Sequence, residues 1–189
     1  AGKFARAPAY QVLGGPTRFK ARAFAPLGGA TDAELLASMK QAQAGGYRAF
    51  AVPLPPIMWR NQGQAYVLRV ARTLETLRAA GGEDADFILD GAGVLTPGDA
   101  ASLCQALEGF HLLWFDEPCG LLNLAAVKKL ARENVTPLGF GRNVHGAAGF
   151  QDLLREDAAD VIRPDVARWG ISEIRKAAVI AEVNYVAVA

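Results

Sequence analysis

Short apolar runs and longer amphipathic stretches alternate along this 189-residue chain. Runs such as 86–90 have the length and composition of buried strands, whereas stretches such as 63–80 repeat apolar residues with a helical period. The pattern predicts seven strands separated by six helices, with one strand about every 23–30 residues. The predicted strands are 18–25, 47–54, 86–90, 111–118, 135–140, 160–164 and 185–189, and the predicted helices are 31–46, 63–80, 96–109, 121–134, 147–157 and 171–182.

Local signals mark the start of two predicted helices. Thr31 is followed three residues later by Glu34, which is the spacing of a capping box. Thr96 is a residue type favoured at the N-cap, and Pro97 suits the first helical position. We therefore expect helices to begin directly after Thr31 and Thr96.

Strict alternation of strands and helices predicts an α/β protein with a parallel sheet and helical crossovers. Two architectures satisfy this order, an open doubly wound sheet and a TIM-type (β/α) barrel. No GxGxxG follows the first predicted strand, and no GxxxxGK[ST] occurs in the sequence, which disfavours a nucleotide-binding open sheet. Polar residues recur where strands end, as in barrels that gather their site there, so the barrel is favoured.

Four charged residues occupy equivalent positions at predicted strand ends: Asp90, Asp116, Arg142 and Asp165. They are separated by 26, 26 and 23 residues, which is close to one β/α unit each. Because the carboxyl ends of parallel strands lie at one face, we expect these four groups to converge there. The alternative is that they are ordinary polar loop residues near helix starts.

Composition and charge exclude several classes of protein. The chain contains 20 Lys and Arg residues and 19 Asp and Glu residues, so its net charge is +1. A charge this close to zero does not provide the positive potential that attracts nucleic acid. No apolar run approaches the roughly 20 residues that span a bilayer, and the amino terminus lacks a secretory pattern, so we expect a cytoplasmic protein. Cys104 and Cys119 do not have the spacing of a CxxC motif, and two such cysteines are typical of a protein in a reducing compartment. Cys119 is either a reactive thiol or a small packing residue.

Four motifs resemble those of the enolase superfamily: "LDGAG" (89–93), "WFDEP" (114–118), "GFGR" (139–142) and "RPDVARWG" (163–170). The resemblance is to the mandelate racemase and muconate lactonizing enzyme group, and within it to the acid-sugar dehydratases. It implies an enolase-like (β/α)7β barrel preceded by a capping domain.

The expected domain organisation follows from this resemblance. We expect 1–16 to be a linker segment leading into the barrel, and 17–189 to be a partial barrel of about seven strands without the capping domain. Unpaired edges in such a barrel invite association. We therefore expect a portion of a longer polypeptide or a shortened protein that forms a homo-oligomer.

The resemblance also implies a chemistry: abstraction of a proton next to the carboxylate of a hydroxy acid or sugar acid, with Mg²⁺ stabilising the resulting enediolate. Such an enzyme is a lyase (acid-sugar dehydratase) or an isomerase (racemase). Asp90 and Asp116 would be metal ligands, and Asp165 would orient a catalytic histidine from the seventh strand. Glu117 is expected to form local hydrogen bonds, and His145 is either an acid or base or a bystander loop residue.

The chain departs from the family pattern in its candidate site. Arg142 stands where the third metal-binding carboxylate would be, and a guanidinium has no lone pair to offer a cation. Ala51 and Pro53 replace a common K-x-K base, and Ala92 replaces an asparagine. Two hypotheses remain: an enzyme with a degenerate metal site, or a catalytically inactive or metal-independent relative that binds a carboxylate ligand. In the second, Arg142 pairs with the aspartates or contacts the ligand carboxylate; Arg60 is another candidate for substrate binding.

Overall fold

Seven parallel strands form one curled sheet in chain order, and helices connect them. The computed structural model describes residues 2–15, 19–58 and 61–189. The strands are β1 Phe24–Pro26, β2 Ala49–Pro53, β3 Asp86–Asp90, β4 Trp114–Asp116, β5 Leu138–Phe140, β6 Val161–Ile162 and β7 Ala187–Val188. The helices are α1 Gly2–Ala5, α2 Ala9–Val12, α3 Asp32–Ala44, α4 Gly63–Gly81, α5 Pro97–Leu107, α6 Leu124–Glu133, α7 Gly146–Arg155 and α8 Val166–Val183. The predicted α/β class and incomplete barrel are confirmed.

Both predicted helix starts are confirmed. The Thr31 hydroxyl accepts a hydrogen bond from the Glu34 amide at 3.3 Å, and the Glu34 carboxylate accepts one from the Thr31 amide at 3.1 Å. The Thr96 hydroxyl accepts from the Asp99 amide at 3.1 Å, directly before Pro97. These caps satisfy amide groups that have no partner within the helix.

Among the predicted boundaries, the start of the first strand differs most from the structure. The first strand begins at Phe24 in the described residues, because β1 is an edge strand whose first ladder partner is Ala49. The predicted start of the last helix at 171 agrees with the structure, because it directly follows the non-helical Gly170; α8 also includes one earlier turn from Val166, which the Asp165 side chain caps. Gly170, with φ of 71°, then kinks this helix. The predicted linker segment contains α1 and α2, and its boundary with the barrel stays a prediction.

Strand side chains alternate between two buried layers on opposite faces of the sheet. The larger layer packs between strands and helices and includes the strand residues Phe50, Phe87, Phe115 and Phe140. The smaller layer lies on the inner side and contains Ala51, Ile88, Trp114 and Val161. Residues two positions further along β3, β4 and β6 share this inner face, and they are Asp90, Asp116 and Arg163. The fold therefore directs charged side chains to the inner side at the carboxyl ends of the strands.

The sheet is open in the part of the chain that the structure describes. There, β1 pairs with β2 and β7 pairs with β6, and no described strand joins β1 to β7. None of the helices in the described residues is both long enough and apolar enough to span a membrane.

A substitution at Gly141 tests how closely the backbones that follow β5 and β6 approach each other. A Cβ atom at this residue would lie 1.9 Å from the carbonyl oxygen of Arg163, which belongs to the backbone and cannot rotate away. We expect Gly141→Ala to lower the free energy of unfolding by about 2 kcal/mol or more, as overpacking does. Urea unfolding of the protein expressed from its full reading frame measures this change.

Gly109→Ala is the matched control, because a Cβ atom at Gly109 meets nothing within 4 Å. This variant should stay within about 0.5 kcal/mol of the unmodified protein. Equal stability of the two variants would show that the strands are further apart than the structure has them.

Candidate functional site

Arg142 and Asp90 form an ion pair at the carboxyl ends of the strands. Asp90 is the last residue of β3, and Arg142 lies two residues beyond β5. The Arg142 Nη2 group donates a hydrogen bond to Asp90 Oδ2 at 2.7 Å, and the two side chains are 41% and 27% exposed. Partial burial opposes a rise in the pKa of Arg142, but the hydrogen bond to Asp90 and nearby acidic charges outweigh it and raise this pKa. The pair therefore keeps a protonated guanidinium at the barrel mouth, beside the Asp90 carboxylate.

Asp116 is fully buried at the end of β4. Its Oδ1 atom accepts a hydrogen bond from Trp114 Nε1 at 3.1 Å, and Arg163 Nε lies 3.1 Å from the same oxygen. The Arg163 N–H group is not aligned for a hydrogen bond, and Asp116 Oδ2 has no partner among the described residues. Burial raises the pKa of Asp116 to about 6, although the Arg163 charge and the Trp114 hydrogen bond oppose the rise. Arg163 thus stabilises the buried carboxylate mainly through its charge.

Glu117 holds the loop that carries Arg142. Its backbone adopts φ of 45°, and its buried carboxylate turns toward the end of β5. The Oε1 atom accepts hydrogen bonds from the amides of Gly141 at 2.7 Å and Arg142 at 2.6 Å. Glu117 thus forms hydrogen bonds as expected, but to the end of the neighbouring strand and not locally, and these bonds fix the backbone from which the guanidinium reaches Asp90.

Two predicted catalytic residues lie at helix starts on the same edge of the sheet. The Asp165 carboxylate accepts a hydrogen bond from the Ala167 amide at 2.9 Å, which caps α8. His145 is exposed and precedes α7, and its side chain does not cap that helix. In the first turn of α8, Arg168 donates a hydrogen bond to the Arg142 carbonyl at 2.9 Å. The structure therefore places Asp165 at the start of α8, whose first turn contacts the Arg142 backbone, and the observed contact of the Asp165 carboxylate is a helix cap.

The structure answers only some of the expectations for this site. It brings Asp90, Asp116 and Arg142 to one end of the sheet, but Arg142 forms its ion pair with Asp90 rather than with Asp116, which lies beside Arg163. Arg163 was not among the residues predicted from the sequence. Strand alternation provides a signal for it, since Arg163 is two residues after the inner-face residue Val161. Arg60 lies outside the described residues.

Charged side chains gathered at the carboxyl ends of parallel strands define a (β/α)-barrel protein with a polar cluster at the barrel mouth. The chain belongs to the enolase C-terminal domain-like family, whose pattern matches residues 32–189. The predicted membership of the enolase superfamily is confirmed.

Several known proteins are similar to the whole chain. It is 32% identical over 190 residues to D-galactonate dehydratase of Ralstonia nicotianae and 29% identical over 201 residues to D-xylonate dehydratase of Haloferax volcanii, and the matches cover 100% of this chain. An enolase from Agrobacterium radiobacter, solved with bound sodium and L-malate, superposes with a TM-score of 0.90 at 28% identity, covering 100% of this chain and 49% of that one. The chain spans about half the length of the curated relatives it matches, namely 50% and 49% of the two dehydratases.

The candidate site does not fit the metal that this superfamily implies. Enolase-superfamily dehydratases generally use Mg²⁺, which prefers an octahedral set of oxygen ligands. Across residues 2–15, 19–58 and 61–189, no group of three or more His, Cys, Asp or Glu side chains is arranged to hold a metal ion. Asp90 already binds a guanidinium, and Asp116 is buried beside another. The residues present therefore suit an arginine-paired site better than a Mg²⁺ site.

The role of Glu117 in holding the Arg142 loop can be tested by substitution. Glu117→Ala removes the acceptor of two amide hydrogen bonds, one of them buried, and we expect it to lower the free energy of unfolding by about 2–4 kcal/mol. Glu117→Gln keeps a side-chain carbonyl that accepts from the same amides, so its loss should be about half as large. Chemical denaturation measures both losses, and similar values for Ala and Gln would contradict this role.

The structure favours the packing interpretation of Cys119 over that of a reactive thiol. Cys104 and Cys119 are both buried and not disulfide-bonded, and burial raises their pKa values to about 12 and about 11. Because the thiolate is the nucleophile, we expect neither residue to be alkylated by iodoacetamide in the native protein at pH 8. Both should be alkylated in urea. Mass spectrometry of the two samples checks this, and rapid native labelling of Cys119 would contradict it.

Proposed function

We propose that the protein binds a sugar acid or related hydroxy acid at the carboxyl ends of the strands, and that Arg142 contacts the ligand carboxylate. The observation that carries this proposal is the ion pair of Arg142 with Asp90 at 2.7 Å. It keeps a half-exposed guanidinium at the barrel mouth, where the acidic groups alone would repel an anion.

The geometry of the arginine side chain supports carboxylate binding. A guanidinium offers five N–H donors in a planar fork that matches a carboxylate, and the contact to Asp90 uses one terminal nitrogen. The backbone of Arg142 is held from two directions, by the Glu117 carboxylate and by the Arg168 side chain. A donor held in this way loses less conformational entropy when a ligand binds.

The class of ligand is supported by the relatives. D-galactonate and D-xylonate, named in two of them, are polyhydroxy carboxylates, and the L-malate in the Agrobacterium radiobacter enolase is a hydroxy dicarboxylate. All carry a carboxylate next to a hydroxyl-bearing carbon. A ligand of this kind matches a mouth that offers both guanidinium and carboxylate groups.

A second candidate function is the reaction named for those relatives, dehydration of a sugar acid, or racemisation next to the carboxylate. The similarity to D-galactonate dehydratase over the whole chain favours it. In this proposal the protein is a lyase or isomerase. His145 exchanges a proton with the ligand carbon, and Asp165, with Asp90 and Asp116, completes the polar site.

The proposed setting is the cytoplasm, in keeping with two buried cysteines that form no disulfide. We also propose that the barrel portion associates into a homo-oligomer and that nucleic acid is not a partner, because the net charge is +1.

Calorimetric titration in EDTA tests the binding proposal. D-galactonate and D-xylonate should bind saturably to the protein expressed from its full reading frame, and the uncharged sugar D-galactose should not. Arg142→Gln should weaken sugar-acid binding by about 10- to 100-fold, as loss of a charged hydrogen bond does. Arg155→Gln, a change at an exposed arginine in the last turn of α7, is the matched control and should leave it unchanged.

The same ligands separate the two candidate functions. Binding in EDTA without formation of a 2-keto-3-deoxy product and without exchange of the C2 proton supports binding alone. Turnover or C2 exchange that His145→Asn abolishes supports the reaction. Loss of all sugar-acid binding in EDTA, with binding restored by Mg²⁺, would overturn the first proposal.

A further inference from the structure

Two separate arginines oppose the two strand-end aspartates. Arg142 contacts Asp90 at 2.7 Å, and Arg163 lies 3.1 Å from Asp116. We infer that these two guanidinium groups together take the electrostatic place of a divalent cation, so that the cluster is formed without metal and excludes Mg²⁺ and Mn²⁺. This inference does not depend on which ligand the protein binds.

The Arg163 pair is built into the inner layer of the barrel. The Arg163 side chain is 22% exposed, Asp116 is 0% exposed, and the guanidinium lies 5.9 Å from the centre of the Phe24 ring. Trp114 also packs edge-on against Phe24 at 5.6 Å and donates a hydrogen bond to Asp116. Removing one partner of a buried charge pair is costly, so Asp116 requires a cation nearby.

Without an added ion, the two arginines offset all but one of the negative charges in the cluster. Asp90, Asp116 and Glu117 provide three carboxylates, while Arg142 and Arg163 provide two positive charges, which leaves −1 when all are ionised. A divalent cation would bring the cluster to +1. Each guanidinium would also repel the divalent cation twice as strongly as it would repel a unit charge at the same distance.

If both arginines oppose metal binding, single and double substitutions should differ in how tightly the variants bind Mn²⁺. Arg142→Glu removes one cation and adds a carboxylate, yet Arg163 still opposes Asp116. The single variant should therefore bind Mn²⁺ weakly. Arg142→Glu combined with Arg163→Gln leaves Asp90, Asp116 and the new carboxylate unopposed, so the double variant should bind it well.

Mn²⁺ binding followed by electron paramagnetic resonance tests this pattern on the protein expressed from its full reading frame. We expect a Kd above about 10 mM for the unmodified protein and at least about 100-fold tighter binding for the double variant, because two opposing charges are gone. Each single variant should gain less than about a tenth of that increase. Arg155→Glu combined with Arg175→Gln changes the net charge equally at exposed sites on α7 and α8, and should bind no better than the unmodified protein.

Two results would overturn the inference. One is Mn²⁺ binding by the unmodified protein with a Kd below about 1 mM that Asp90→Asn abolishes, since the site would then hold metal despite its arginines. The other is that Arg142→Glu alone binds Mn²⁺ as tightly as the double variant, which would show that Arg163 does not oppose metal binding. If the double variant does not fold, the unmodified protein and Asp90→Asn still decide the first point. Arg163→Gln combined with Asp116→Asn should then fold, because it removes both members of the buried pair, and it should also bind no Mn²⁺.

Discussion

The buried carboxylate of Asp116 is the constraint from which much of the surrounding structure follows. An ionised group with no exposure needs charge and hydrogen-bond compensation, and Arg163 and Trp114 provide it from the inner face of the sheet. Space for these side chains requires small residues on β5. A Cβ atom on Gly139 would meet the Trp114 ring at 2.4 Å, and one on Gly141 would meet the backbone of Arg163. The glycines of "GFGR" therefore allow the close packing that surrounds one acidic group.

Glu117 connects this buried pair to the barrel mouth. It directly follows Asp116 in sequence but turns its carboxylate to the next strand, where it binds the amides that precede the Arg142 side chain. The two adjacent acidic residues thus have different tasks: one is neutralised by an arginine, and the other positions an arginine. This division explains how two residues at the end of a three-residue strand organise the arginines that follow β5 and β6.

The fold was predictable because its signals are local or periodic. The capping box at Thr31 needs only two residues that are three apart, and the alternation of strand and helix lengths predicts the parallel order. Strand ends were less predictable, because the start of β1 depends on where the neighbouring strand β2 begins, which is at Ala49. In the site, the motifs located Asp90, Asp116 and Arg142. Which arginine meets which aspartate depends on side-chain reach across strands, and no pattern along one chain encodes that distance.

The pairing of each strand-end aspartate with an arginine has a consequence for how such a site is assembled in a cell. A centre built around a bound ion depends on ion supply, and chelation empties it. Charges on the polypeptide itself are present as soon as the chain has folded, at a fixed ratio of one arginine to one aspartate. Such a cluster is insensitive to the availability of magnesium, and evolution can retune it only by changing residues.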